Sequence, residues 1–283
     1  PSRLATPLTE VEFEGRTAYG ERSHLLFHVS SANWQESDRL LAGIMTAFGT
    51  PTREFIVGGH GELDGVMGGS FVSPRIEAAF TGDDISAWNA MWGHGSGQIT
   101  VENGDLDVLD GIFDDGTAQF KVEGRFAIGS RTDGDEEFNA RFGFVSLPAQ
   151  RVRDVFRLEG YHIDGPLTGI VHLFGQYRRP FGFGGMTLAS PVAYGEPFDW
   201  AEADLRFEGD GVRVDGFEAR KGDGLVTGAA LIRWNGTYSV NVDGRDLAID
   251  SIAAVTDPRV TLAGRLQFTL VGVGEFANPR YEM

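Results

Sequence analysis

The chain has 283 residues, 41% of them apolar, and 24 basic against 41 acidic side chains give it a formal net charge of −17. That composition supports a substantial core, and the charge argues against a phosphate-backbone ligand and against electrostatic adhesion to an anionic membrane. Zero cysteine excludes disulfides, thiolate metal sites and a cysteine nucleophile, and fits an extracytoplasmic bacterial protein.

Residues 1–53 read as the tail of a preceding unit. They end near a helical stretch from Ser37 to Met45, where Leu40, Leu41, Ile44 and Met45 stand at helical spacing. Gly61-Glu-Leu63 then opens a glycine-led strand phrase that closes at Pro74, and Asn103-Gly104 marks a two-residue hairpin turn before Leu106-Asp-Val108. From Thr117 to Gly129 the alternation is clean. Ala118, Phe120, Val122, Gly124, Phe126 and Ile128 fall on one face, and Gln119, Lys121, Glu123 and Arg125 on the other. An acidic loop from Arg131 to Glu137 leads to Phe138, Ala140, Phe142 and Phe144, again at period two, and a short helix is expected from Ala149 to Arg157.

The same phrases then return. Gly165-Pro-Leu167 runs to Pro180, Ala203, Leu205 and Phe207 alternate, and Val212-Arg-Val214 stands where Leu106-Asp-Val108 stood, 106 residues on. Further alternating sets are Val226, Gly228, Ala230, Ile232 and Trp234, followed by Tyr238, Val240 and Val242. Asp223-Gly224, Asn235-Gly236 and Asp243-Gly244 read as hairpin turns between them. A third helical turn is expected over Ile249 to Val255, and Gly264-Arg-Leu266 opens the phrase again, with Phe268 and Leu270, toward Pro279. The closing prolines Pro74, Pro180 and Pro279 are spaced by 106 and 99 residues. This periodicity predicts repeat units at 54–163 and 164–257, with 258–283 starting a following one, in a fragment of a longer array.

The expected fold is all-β: a long antiparallel meander curled into an open, taco-like β-groove with one short helix per repeat. The alternative is a β-sandwich or solenoid-like repeat in which two such faces cover each other. In the groove reading the wall is formed by Phe120, Val122, Phe126, Ile128, Phe138, Phe142, Phe144, Ile232, Trp234, Val240, Phe268 and Leu270. An apolar face of that extent implies a standing ligand with the shape of an acyl chain. The sealed alternative implies a structural or adhesin-like, carbohydrate-binding protein.

The phrase from Gly264 through Asn278-Pro279-Arg-Tyr resembles the recurrent glycine, alternating strand, glycine, asparagine-proline phrase of the TamB and AsmA-like proteins, the bridge-like lipid transfer proteins. Gly165 to Pro180 and Gly61 to Pro74 resemble it more loosely, with Arg179 and Ser73 where asparagine stands at 278. The resemblance implies a periplasmic β-groove protein held to the inner membrane by an anchor outside this sequence. It further implies phospholipid movement between inner and outer membrane, or help to outer-membrane protein assembly with a β-barrel partner, and no catalysis.

Other motifs read blandly. Gly272-Val-Gly274-Glu-Phe-Ala277 fits a dinucleotide fingerprint in spelling, but Asn278-Pro279 follows where a helix should begin. His60 and His94 lie among glycines without metal-ligand spacing, and the acidic runs Asp110 to Asp115 and Asp133 to Glu137 lack the spacing of a calcium loop. No cofactor, metal or nucleic acid is expected. Trp34, Trp88, Trp92, Trp200 and Trp234 read as core or rim packing before a sugar platform.

Overall fold

The computed structural model describes residues 2–16, 23–47, 57–70, 73–87, 90–128, 137–156, 162–253, 263–275 and 281–282. Trp88, the acidic loop up to residue 136, residues 254–255 of the third helical stretch and Asn278-Pro279 lie outside them.

The first eight strands are β1 (Ser2–Ala5), β2 (Thr9–Arg16), β3 (Ser23–Ser31), β4 (Gly58–Ser70), β5 (Ser73–Ala87), β6 (Ala90–Glu102), β7 (Asp105–Asp114) and β8 (Gln119–Ala127), with helix α1 (Trp34–Ala47) between β3 and β4. Strand β9 (Glu137–Pro148) runs directly into α2 (Ala149–Phe156). There follow β10 (Ile163–Asp164), β11 (Pro166–Gln176), β12 (Arg179–Ala189), β13 (Val192–Ala193), β14 (Glu196–Pro197), β15 (Trp200–Glu208), β16 (Gly211–Lys221), β17 (Gly224–Arg233) and β18 (Thr237–Ala248). A 3-10 turn (Ile249–Ser251), β19 (Arg265–Glu275) and β20 (Tyr281–Glu282) complete the order.

Within each unit the long strands pair antiparallel with their neighbours in chain order, as a meander. Strands β10, β13 and β14 form a small separate sheet. The chain divides into two compact units, Pro1–Phe142 and Gly143–Met283, the division falling inside β9.

The repeat in the sequence has counterparts in the backbone. Register slips between Val108 and Gly111 in β7 and again between Val214 and Phe217 in β16, bulges at positions 106 residues apart. At the helix-bearing ends Ala149 N–H donates to Gly165 O over 2.9 Å and Ile249 N–H to Gly264 O over 3.1 Å. Ser31 is paired with Gly61. The three phrase-opening glycines hold φ of +155°, +133° and +143° at 61, 165 and 264, a region that residues with a Cβ rarely enter. Glycine at these points lets the returning strand lie against the end of the strand before the helix.

Two turn expectations change. The β16–β17 turn is Gly222–Asp223, with Lys221 paired to Gly224, because Gly222 takes φ +59° at the first turn position. Asp243-Gly244 is not a turn; it lies inside β18, where Gly244 is paired with Phe268. Asn103-Gly104, with φ +55° and +80°, turns as expected. Helix α1 begins at Trp34 rather than Ser37, since the Asn33 side chain accepts the Gln35 N–H at 3.0 Å. Ser37 sits one turn in, its hydroxyl 2.8 Å from Thr9 Oγ1 and 2.6 Å from Ser31 Oγ, which fixes the helix to buried polar ends of β2 and β3.

Candidate functional site: an apolar sheet face

In the first unit, register places one set of side chains on a common face. Leu106 is opposite Phe126, Val108 opposite Gly124, Gly111 opposite Val122 and Phe113 opposite Phe120. On the next strands Gly95 is opposite Phe113 and Phe80 opposite Gly97. Directly opposed residues share a face, so six of the expected wall residues, Phe120, Val122, Phe126, Ile128, Phe138 and Phe142, lie in one alternating system. Their rings touch: Phe120 and Phe142 stack at 6.0 Å, Phe126 and Phe138 at 6.2 Å, and Phe126 meets Phe142 edge-on at 6.4 Å.

Strands two apart lie about 9.6 Å from each other, yet the rings of Trp92 on β6 and Phe120 on β8 are 4.6 Å apart, and Phe80 on β5 reaches Phe113 on β7 at 6.2 Å. Glycine makes the space. A Cβ on Gly97 would lie 2.9 Å from the Phe80 ring, and one on Gly95 2.7 Å from the Phe113 ring. The same device recurs where Phe27 covers Gly65 and, in the second unit, where Phe268 covers Gly244. At these positions the chain's 40 glycines and 21 phenylalanines work in pairs: one residue type thins the sheet and the other lies across the gap.

In the second unit, Ile232 is opposite Tyr238, Ala230 opposite Val240 and Val242 opposite Leu270. One end is dry: Ala201, Ala219, Val226 and Leu247 are buried, with Phe198, Phe217, Val242, Ile252, Leu266 and Phe268 packed on them. Phe144, Ile232, Val240, Phe268 and Leu270 are half-buried, and Trp234 is 40% exposed beside Phe207 at a hairpin end.

Of the twelve expected wall residues only Phe120, at 6%, and Phe138 are buried; nine are half-buried and Trp234 is exposed. Two sheets packed on each other would have removed most of these side chains from water. Among the described residues Leu147 is the largest side chain less than 2% exposed. The face is apolar and incompletely covered.

The opposite face is charged and internally paired. Asp107 takes both Nε and Nη2 of Arg125, at 2.7 and 2.8 Å, and Arg75 joins Glu77 and Glu102. His28 Nδ1 is 2.7 Å from Asp64, and that hydrogen bond, helped by nearby Glu62 and Glu12, raises the imidazole pKa above its ordinary value against a smaller opposing effect of burial. His94 pairs with Asp83 at 2.8 Å, and His60 lies 3.9 Å from Asp84. Among the described residues no group of three or more His, Cys, Asp or Glu side chains is arranged to hold a metal ion. Trp92 is buried with its indole N–H on Ala87 O, Trp200 lies under the Arg220 guanidinium, and Trp34 approaches Gly82. Trp92 and Trp200 are therefore packed rather than offered as a stacking surface.

Sequence reasoning missed Phe80, Trp92, Phe113, Leu106 and Val108 on the first unit's face, and Leu167, Val171 and Leu173 on the second's. The alternations Ile76, Ala78, Phe80 and Leu106, Val108 carried a usable signal; the bulge at Val108–Gly111 broke the period in β7 and hid Phe113. Compared with known proteins, the chain matches no family model, no curated protein and no solved structure.

Proposed function

We propose that this chain is a non-enzymatic lipid carrier whose apolar sheet face holds phospholipid acyl chains. The observation that carries the reading is the incomplete cover of that face: aromatic and branched side chains aligned by register, yet half-open to water. A ligand that covers them gains about 0.8 kcal/mol per methylene buried, and an acyl chain offers methylenes along its whole length. The resemblance of the Gly264 phrase to TamB and AsmA-like proteins supports a place in the bacterial periplasm. There the parent protein, anchored in the inner membrane, would move phospholipid between inner and outer membrane or assist outer-membrane protein assembly with a β-barrel partner.

The test is native mass spectrometry with lipid extraction on protein purified without detergent. Copurifying phospholipid is expected from the unaltered chain. It should be lost from Phe142→Asp and Ile232→Arg, because a charge desolvated beside an acyl chain costs several kcal/mol. Clean protein mass from repeated preparations, or full lipid loading of both folded variants, would refute the reading.

A further inference from the structure

In the second unit the hairpin ends of neighbouring strands form a laced rim. The β11–β12 turn presents Tyr177 and Arg178, the β15–β16 turn Gly209 and Asp210, and the β17–β18 turn Trp234, Asn235 and Gly236. Gly209 N–H donates to Pro180 O and Trp234 N–H to Asp210 O, each at 3.0 Å, and the Trp234 indole N–H donates to Gly209 O at 3.1 Å. The Phe181 ring closes on Gly209, 2.9 Å from where a Cβ would stand. Three consecutive turns are thereby held as one edge.

That edge is aromatic and basic. Tyr177, Phe181 and Trp234 are between 40% and 48% exposed. Behind the turn Phe174 is opposite Phe181, and His172 is opposite Phe183, which is 61% exposed, so the β11–β12 hairpin carries apolar surface back from its tip. The acids at the rim are occupied: Glu208 accepts Nε of Arg213 at 2.9 Å, which lowers its pKa, and Asp210 is paired with Arg233. Arg178 and Arg179 are exposed and hold no ion pair among the described residues. A chain of net charge −17 thus turns a locally positive tip outward. At physiological salt a charge more than about 8 Å away is largely screened, so a surface touching the rim responds to the two arginines and not to the total.

We propose that this rim seats in the headgroup region of a bilayer containing anionic lipid. Tyr and Trp, with an apolar body and a polar edge, and arginine, with an apolar stem and a charged end, are the side chains that such a boundary favours. The rim offers them along a fixed line of turns, the form suited to a laterally fluid surface. The contact does not depend on lipid occupying the apolar face.

Cosedimentation with vesicles tests it, using phosphatidylcholine alone and phosphatidylcholine with part replaced by phosphatidylglycerol. The chain is expected on the phosphatidylglycerol vesicles. Arg178→Gln with Arg179→Gln should weaken that binding about 25-fold, from roughly fivefold per arginine, while the thermal midpoint stays unchanged. Brominated lipid should quench tryptophan emission, and Trp234→Phe should remove that quenching. Phe142→Asp, which empties the apolar face, should leave sedimentation intact, so failure of the lipid-carrier reading and failure of this one are distinguishable. No sedimentation with either vesicle, undiminished binding of the double variant, quenching that survives Trp234→Phe, or loss of binding in Phe142→Asp would each overturn the proposal.

Discussion

Gly244→Ala places a methyl group where the Phe268 ring lies, 2.2 Å from one ring carbon and 2.7 Å from two others. Those distances are far inside van der Waals contact, and Phe268 is backed by the Ala201, Ala219, Val226 and Leu247 cluster, so the ring cannot simply retreat. Overpacking of this kind costs about 1–3 kcal/mol, against which alanine returns about 0.5–1 kcal/mol over glycine in a strand interior. The net expectation is destabilisation by about 0–2.5 kcal/mol. With Phe268→Ala as background the obstacle is gone, and the same change should stabilise by up to about 1 kcal/mol. Denaturant unfolding of the four chains yields the coupling directly, expected at about 1–3 kcal/mol. Equal effects of Gly244→Ala in both backgrounds would show that ring and glycine do not share the space, and the account of how glycine and phenylalanine build this sheet would fall with it.

Phe120→Ala, at a buried ring meeting Trp92, Phe113 and Phe142, should cost about 3–5 kcal/mol, whereas Phe183→Ala on the other face should stay within about 1 kcal/mol; similar values from denaturation would refute the assignment of faces. Lys221 Nζ is 2.7 Å from Glu196 Oε1 and both side chains are largely buried. Lys221→Ala should therefore destabilise by about 2–4 kcal/mol by leaving the carboxylate without its counter-charge and with only the Ala253 N–H as donor, and Lys221→Met with Glu196→Gln by clearly less. The raised pKa of His28 means that its pairing with Asp64 stabilises fully below the unfolded histidine value near 6.5 and fades as pH rises through the folded value. The difference in unfolding stability between the unaltered chain and His28→Ala should accordingly shrink from pH 5 to pH 8, and a difference that grows would contradict it.

Much of this was legible in the chain because period-two alternation survives wherever strands run unbroken, as from Phe120 to Phe126 and from Val226 to Ile232. It failed at bulges, since one extra residue at Val108–Gly111 or Val214–Phe217 resets which side chains face inward. Asp243-Gly244 misled for a different reason. A two-residue spelling that normally turns a chain is held straight in β18 by pairing on both sides and by the ring of Phe268. The rim at Tyr177 and Trp234 was hidden because it is assembled from turns far apart in sequence, and alternation says nothing about which turns become neighbours.

The bonds Ala149 N–H to Gly165 O and Ile249 N–H to Gly264 O make the junction after each helix nearly the same junction. Interchangeable junctions allow whole units to be copied or deleted with their boundaries intact. Each set of six strands adds about 29 Å along the hydrogen-bond direction. The number of strands is therefore a property that duplication can alter in fixed steps, while the glycine that opens each step keeps the same backbone conformation.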